Sequence, residues 1–251
     1  MSASEAKPCC ICGTETTTRC SSCGPAGFDL MFCSVEHQKM IWFAHKRVCG
    51  ERANPFRWPL LSAEEAEDAL PRIDKPANND PATTLAQIIA FNHGTSRDQA
   101  ANVLASLSAE SSAPRLSMKD EQKLLPLVRY SEYQQVLANG KGNPFIPPNR
   151  HNDPSIWHNL IGSWILNTLN VKTDYHDKAW WTPYQHFALV YFVLREKYRL
   201  KPWDTDAKAF HSHARQQFER VMRVEVAKED PVLSRTMLSQ FGKLPPPAPG
   251  L

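Results

Sequence analysis

The chain has 251 residues, of which 42% are hydrophobic and 22% charged, and a formal net charge of +3; it is long enough for one small module beside one core of ordinary domain size. A charge this close to balance excludes an electrostatic argument for a nucleic-acid or anionic-lipid partner, and within residues 1–50 five basic side chains face four acidic ones. The longest apolar run, Phe187 to Leu194, is eight residues, where a membrane span needs about 20.

The first residues, Met-Ser-Ala-Ser-Glu-Ala-Lys, hold no apolar stretch of the kind a signal peptide needs. An intracellular chain is expected, nuclear or cytoplasmic, in which thiols stay reduced and bind metal rather than one another. All seven cysteines lie between Cys9 and Cys49. Cys9 and Cys12 are separated by two residues, as are Cys20 and Cys23, while Cys33 with His37 and His45 with Cys49 are each separated by three. A two-residue gap lets a tight turn present two thiolates to one tetrahedral zinc, and an i, i+4 gap presents two ligands from adjacent helical turns. Eight ligands make two closed sites, so two Zn2+ are expected. An odd cysteine count and two histidines at ligand spacing speak against disulfides. Cys10 is the odd thiol; ligation by Cys10 instead of Cys9 would leave a one-residue gap to Cys12, so it is read as a bystander.

Between Cys23 and Cys33, Gly24 and Pro25 make a turn and Phe28, Leu30 and Phe32 alternate as a short strand would. Ser34 is placed to cap the following helix, with Glu36 in its first turn. His37, Ile41, His45 and Val48 share its inward face, and Gln38 and Trp42, four apart, share an adjacent one. A tryptophan there either closes the small core or faces a ligand. Spacing alone leaves open whether the metals take the ligand pairs sequentially or interleaved.

The order C-x2-C, C-x2-C, C-x3-H, H-x3-C resembles the MYND-type zinc finger. The resemblance extends to non-ligand residues: Phe32-Cys33-Ser34 is similar to the family's aromatic-Cys-Ser entry, and Gln38 and Trp42 match its Gln and Trp. Two departures are His37, where most members carry Cys, and Ile41, where an Asp is usual; neither removes a ligand. The wording from Cys33 to Gly50, continuing into Asn54-Pro-Phe-Arg-Trp-Pro-Leu-Leu-Ser62, is most similar to MYND-finger proteins of basidiomycete fungi. The resemblance implies interleaved sites, Cys9, Cys12, Cys33 and His37 on one zinc and Cys20, Cys23, His45 and Cys49 on the other. It further implies a protein-interaction finger in which Ser21, Gln38 and Trp42 line a groove for proline-rich segments, with transcriptional regulation as one setting.

Residues 51–61 read as a proline-bracketed connector too apolar, through Phe56, Trp58, Leu60 and Leu61, to be a free linker. Ser62 to Glu65 is a capping box opening a helix to about Leu70. From Ala82 the pattern is helical, breaks at His93-Gly94 and resumes at Ser96. Lys119 to Leu137 is helical with Pro126 bending or splitting it. Asn139 to Pro144 reads as a turn and Ile156 to Leu169 as a helix with a broad apolar face. Thr182-Pro183 looks like an N-cap and first turn of a helix through Arg199, apolar on every side at its centre. Asp206 to Lys228 is amphipathic, and Pro231 starts a final short helix.

The expected organisation is mostly α: a dizinc finger over 1–50, a packed connector over 51–61, a larger all-α domain of unassigned role over 62–243 and a proline-rich tail over 244–251. His211 and His213 point apart on a helix and, like His151, His158, His176 and His186, read as core or solvated residues. No phosphate loop or nucleophile motif is present. Phe91-Asn92-His93-Gly94 is faintly similar to the Asn-His core of SET-domain lysine methyltransferases, but the following Ser-Cys and the post-SET cysteines are missing. The expectation is a non-enzymatic adaptor whose partners carry proline-rich segments, the chain's own tail among the candidate occupants. A SET-like methyltransferase and a nucleic-acid-binding finger are the alternatives.

Overall fold

The computed structural model describes residues 5–76, 82–138, 175, 177–199 and 205–242. The expected turn at 139–144, the helix at 156–169, His151, His158 and His176, and the tail at 244–251 lie outside the described residues. Those described are mainly helical, and their one sheet is a two-residue antiparallel pair, β1 (Lys7–Pro8) and β2 (Glu15–Thr16). They form two compact units, residues 5–57 with 175–242 in one and residues 58–138 in the other.

In the first unit, α1 (Val35–His45) starts where Ser34 accepts a hydrogen bond from the His37 backbone N–H, and two single 3-10 turns, Lys46–Val48 and Gly50–Arg52, follow it. The strand expected over residues 28–32 is reduced to one bridge between Met31 and Arg19. Phe28 and Asp29 are part-exposed while Leu30, Met31 and Phe32 are all buried, so burial does not alternate along this segment. Its backbone is still held: Cys20 N–H donates to Leu30 O, Phe32 N–H to Thr18 O and Cys10 N–H to Met31 O.

The C-terminal part of this unit is α6 (Trp181–Arg199), α7 (Thr205–Arg220) and α8 (Pro231–Gly242). Residues 184–194 of α6 are buried on nearly every side. Around them Tyr184, Tyr191, Phe192, Phe218 and Phe241 form an aromatic core at centroid distances of 5.0 to 6.4 Å. Thr182 is not the N-cap: the helix begins at Trp181. The Thr182 hydroxyl instead accepts from the Phe56 backbone N–H at 3.0 Å. The amphipathic pattern over 206–228 is right in phase but not uniform in winding, because α7 passes into a π-helical stretch, Val221–Val226, before Ala227–Glu229. Ser234 donates its hydroxyl to Met222 O at 2.8 Å, satisfying a carbonyl in the widened turn.

The second unit contains α2 (Ala63–Ala69), α3 (Leu85–His93), α4 (Ala100–Ser106) and α5 (Met118–Ala138). Capping boxes at Ser62/Glu65 and Thr84/Gln87 open α2 and α3, and Gly94 closes α3 at φ 74. Pro126 does not split α5, which is continuous through it. A proline inside a helix costs about 3 kcal/mol, and burial of Leu124, Leu125, Leu127 and Val128 around it outweighs that at about 1.5–3 kcal/mol per side chain. The start of this unit is gripped by α5: Gln122 bonds both the N–H and the C=O of Trp58. Arg129, its side chain 2% exposed, donates to Pro59 O and Leu60 O and pairs with Glu65 at 2.9 Å. Arg129→Met strands that carboxylate and those carbonyls together, so a loss of about 3 kcal/mol is expected in urea unfolding; a loss under about 1 kcal/mol would show the pair to be dispensable.

Candidate metal centre

Both metal-binding pairs nearest the N-terminus sit on tight turns. Gly13 N–H donates to Cys9 O and Cys9 N–H to Thr14 O, both at 2.9 Å, folding Cys9 and Cys12 onto one side. Gly13 adopts φ 82, and a Cβ there would stand 2.9 Å from the His213 ring, so geometry and space both require glycine. Cys23 and Gly24 N–H groups both donate to Cys20 O. The later pairs use α1: Cys33 precedes its cap and His37 lies in its first turn, while His45 ends it and Cys49 follows the 3-10 turn.

The structure gathers the eight expected ligands into two groups and interleaves them. Cys9, Cys12, Cys33 and His37 form one, and Cys20, Cys23, His45 and Cys49 the other, with all ligand atoms of a group within 4.8 Å of one another. Zinc bonds of about 2.3 Å to sulfur and 2.0–2.1 Å to nitrogen imply tetrahedron edges of about 3.8 Å between sulfurs and about 3.5 Å from sulfur to nitrogen. In the first group Cys12 and Cys33 sulfurs are 3.5 Å apart, and His37 Nδ1 lies 3.6 Å from Cys9 Sγ and 3.2 Å from Cys33 Sγ. In the second, Cys49 Sγ lies 3.4 Å from Cys20 and 3.5 Å from Cys23, and His45 Nε2 lies 3.4 and 3.5 Å from Cys23 and Cys20. The donor sets fit two zinc ions, and sulfurs this far apart are not disulfide-bonded, a bond of about 2.05 Å. The histidines differ: His37 offers Nδ1 and His45 offers Nε2.

Cys20, Cys23 and His45 are buried, whereas Cys12, Cys33 and His37 are part-exposed. Hydrogen bonding between Cys20 and Cys23 draws the Cys20 thiol down and pushes the Cys23 thiol up, as two close thiols sharing a proton do, and ligation of a metal by both releases that proton. Cys10 is in neither group. It is 3% exposed, and burial holds its thiol well above the usual range, consistent with a neutral bystander.

Three side chains that sequence reading left as scattered or core residues cover the finger from the C-terminal helices. Phe210 meets the His37 ring edge-on at 5.1 Å, and the His213 ring stands against Gly13, in the turn between Cys9 and Thr14. His186, fully buried, stacks on Phe28 at 4.1 Å and meets Phe56 edge-on at 5.0 Å. No local spacing announces them, since each acts across more than 100 residues of chain.

Around the second group Gln38 points its amide Nε2 at Cys20 Sγ, 4.0 Å away, next to exposed Ser21. Trp42, one turn further along α1, is 41% exposed, although Ile41, Ala44 and His45 beside it are buried. Among the described residues no helix is long and apolar enough to cross a membrane.

Residues 9–49 match the MYND finger family, the span running from the first ligand to the last. A MYND finger is a zinc-binding protein-interaction domain, and the two ligand groups are the zinc sites of this one. No curated protein and no solved structure matches the chain.

Proposed function

We propose that the chain is a non-enzymatic adaptor whose finger recruits partner proteins by binding their proline-rich segments against Trp42, Gln38 and Ser21. The observation that carries this reading is the exposure of Trp42. Leu30, Phe32, Ile41, Ala44 and Val48 are each 2% exposed or less and already close the interior around the metal sites. The indole leans toward the His45 ring at 5.9 Å yet keeps 41% of its surface in water, so a large flat aromatic remains accessible on a metal-stapled helix. A proline segment is extended before binding and has few donors, so its rings pack on such a face while an amide side chain serves its carbonyls. Gln38, held near Cys20 one helical turn before Trp42, and exposed Ser21, next to that ligand in the chain, are the polar groups this reading assigns to the segment's carbonyls. Phe91 to Gly94, the tract similar to a methyltransferase motif, ends α3 with Gly94 as its left-handed cap, an ordinary helix terminus that supports the non-enzymatic reading.

Titration with a synthetic proline-rich peptide, followed by calorimetry, tests the proposal. Trp42→Ala is expected to weaken binding by more than about tenfold, as loss of a central aromatic anchor does, and Gln38→Ala by a smaller factor. Both variants are expected to keep two zinc ions, because neither residue is a ligand. Unchanged affinity in Trp42→Ala would overturn the proposal.

A further inference from the structure

The outward face of α1 carries more than the indole. At 100° per residue, Val35, Gln38, Lys39, Trp42 and Lys46 fall within an arc of about 100°, and the buried Ile41, Ala44 and His45 lie outside it. Val35 is 58% exposed and Trp42 41%. Two water-facing apolar side chains are thus set seven residues apart, about 10.5 Å along the axis. Lys39 lies between them and Lys46 one turn beyond Trp42; both are exposed, and neither is in an ion pair among the described residues. The nearest acid on the helix, Glu36, is held first by its own backbone N–H and the Ser34 hydroxyl, and feels the Lys39 charge only at longer range without forming an ion pair. The stripe therefore presents apolar, cationic, apolar and cationic groups in order.

We infer that the partner segment is acidic as well as proline-rich: an extended stretch with a proline on Trp42, an aliphatic residue about three positions away over Val35, and an Asp or Glu between them facing Lys39. The inference rests on the proline reading of Trp42 and adds the charge and spacing of the occupant. An extended proline-type helix advances about 3.1 Å per residue, so three residues cover about 9 Å and bring both anchors into register. Complementary charge at the rim of an apolar contact selects among partners more than it adds affinity.

Two synthetic peptides identical except for the cores Pro-Asp-Ala-Leu and Pro-Asn-Ala-Leu, each flanked by prolines, separate the components. The Asp peptide is expected to bind the full chain about two- to fivefold more tightly at about 0.05 M salt, the range one exposed ion pair supplies. The difference is expected to vanish at about 1 M salt, where screening is short-ranged. Lys39→Gln with Lys46→Gln is expected to bring the Asp peptide to the Asn level while the Asn peptide and the zinc content stay unchanged. Equal affinity of wild type for both peptides, with Trp42→Ala still abolishing both, would overturn the acidic preference and leave the proline reading standing. Failure of both peptides to bind, or indifference of both to Trp42→Ala, would overturn the proline reading and this inference with it.

Discussion

His45→Ala is expected to cost the finger both zinc ions, not one. The two sites are threaded through each other: along the chain their ligand pairs alternate, Cys9 and Cys12, then Cys20 and Cys23, then Cys33 and His37, then His45 and Cys49. The turn holding Cys20 and Cys23 is therefore enclosed between the halves of the first site, and the α1 segment holding His37 runs directly into His45. His45 is fully buried in its group, so no water-exposed residue stands ready to replace it. A structural zinc contributes about 10–16 kcal/mol of apparent binding free energy, while a whole domain is stable by only about 5–15 kcal/mol. A finger with so little apolar interior cannot absorb the loss of one site and keep the geometry of the other. Zinc released to a chromogenic chelator under denaturing conditions is expected to fall from two per chain to well below one. A value near one, with residues 9–18 still protected from hydrogen exchange, would show that the sites fold independently.

His186→Ala is expected to destabilise the first unit by about 4 kcal/mol, the scale of truncating a buried aromatic ring with a carbonyl left unpaired. The His186 ring is 0% exposed, stacks on Phe28 and lies 2.8 Å through Nε2 from Ala53 O. A carbonyl accepts, so Nε2 carries the proton, and the ring is neutral because burial pushes its pKa down to about 3. The unfolded chain takes up that proton as pH falls through about 6.5, and the folded chain does not until about 3. The stabilisation is therefore complete above about pH 6.5 and is lost below it at about 1.4 kcal/mol per pH unit. Acid also competes with zinc for thiolates and imidazoles, which affects every variant alike. The diagnostic quantity is the difference from His186→Phe, which keeps the ring but cannot titrate. Between pH 6.5 and 5 the wild type is expected to lose about 2 kcal/mol more than this variant in urea unfolding; parallel losses would mean that His186 is charged in the folded protein.

Much of the finger was legible in the amino acids because its instructions are local. A two-residue gap is one turn and a three-residue gap is one helical step, so the ligands could be named one by one. The Ser34 cap, the Ser62/Glu65 box and the stop at Gly94 each act over a few neighbouring residues, and each stands where the side-chain chemistry put it. Where local rules met a competing demand they gave way. Pro126 is carried inside a helix by the apolar side chains around it, Thr182 spends its hydroxyl on Phe56 instead of on a cap, and Met31 is buried where alternation would expose it.

By itself the sequence determined the kind and number of metal ligands and the mainly helical character of the rest, since both follow from spacing along the chain. Only the tertiary structure decided which pairs share a metal in this molecule, that Trp42 faces water, and that Phe210, His213 and His186 close over the finger. Those outcomes depend on which surfaces remain uncovered once residues more than 100 positions apart have packed, and no periodicity in a single strand of text records that.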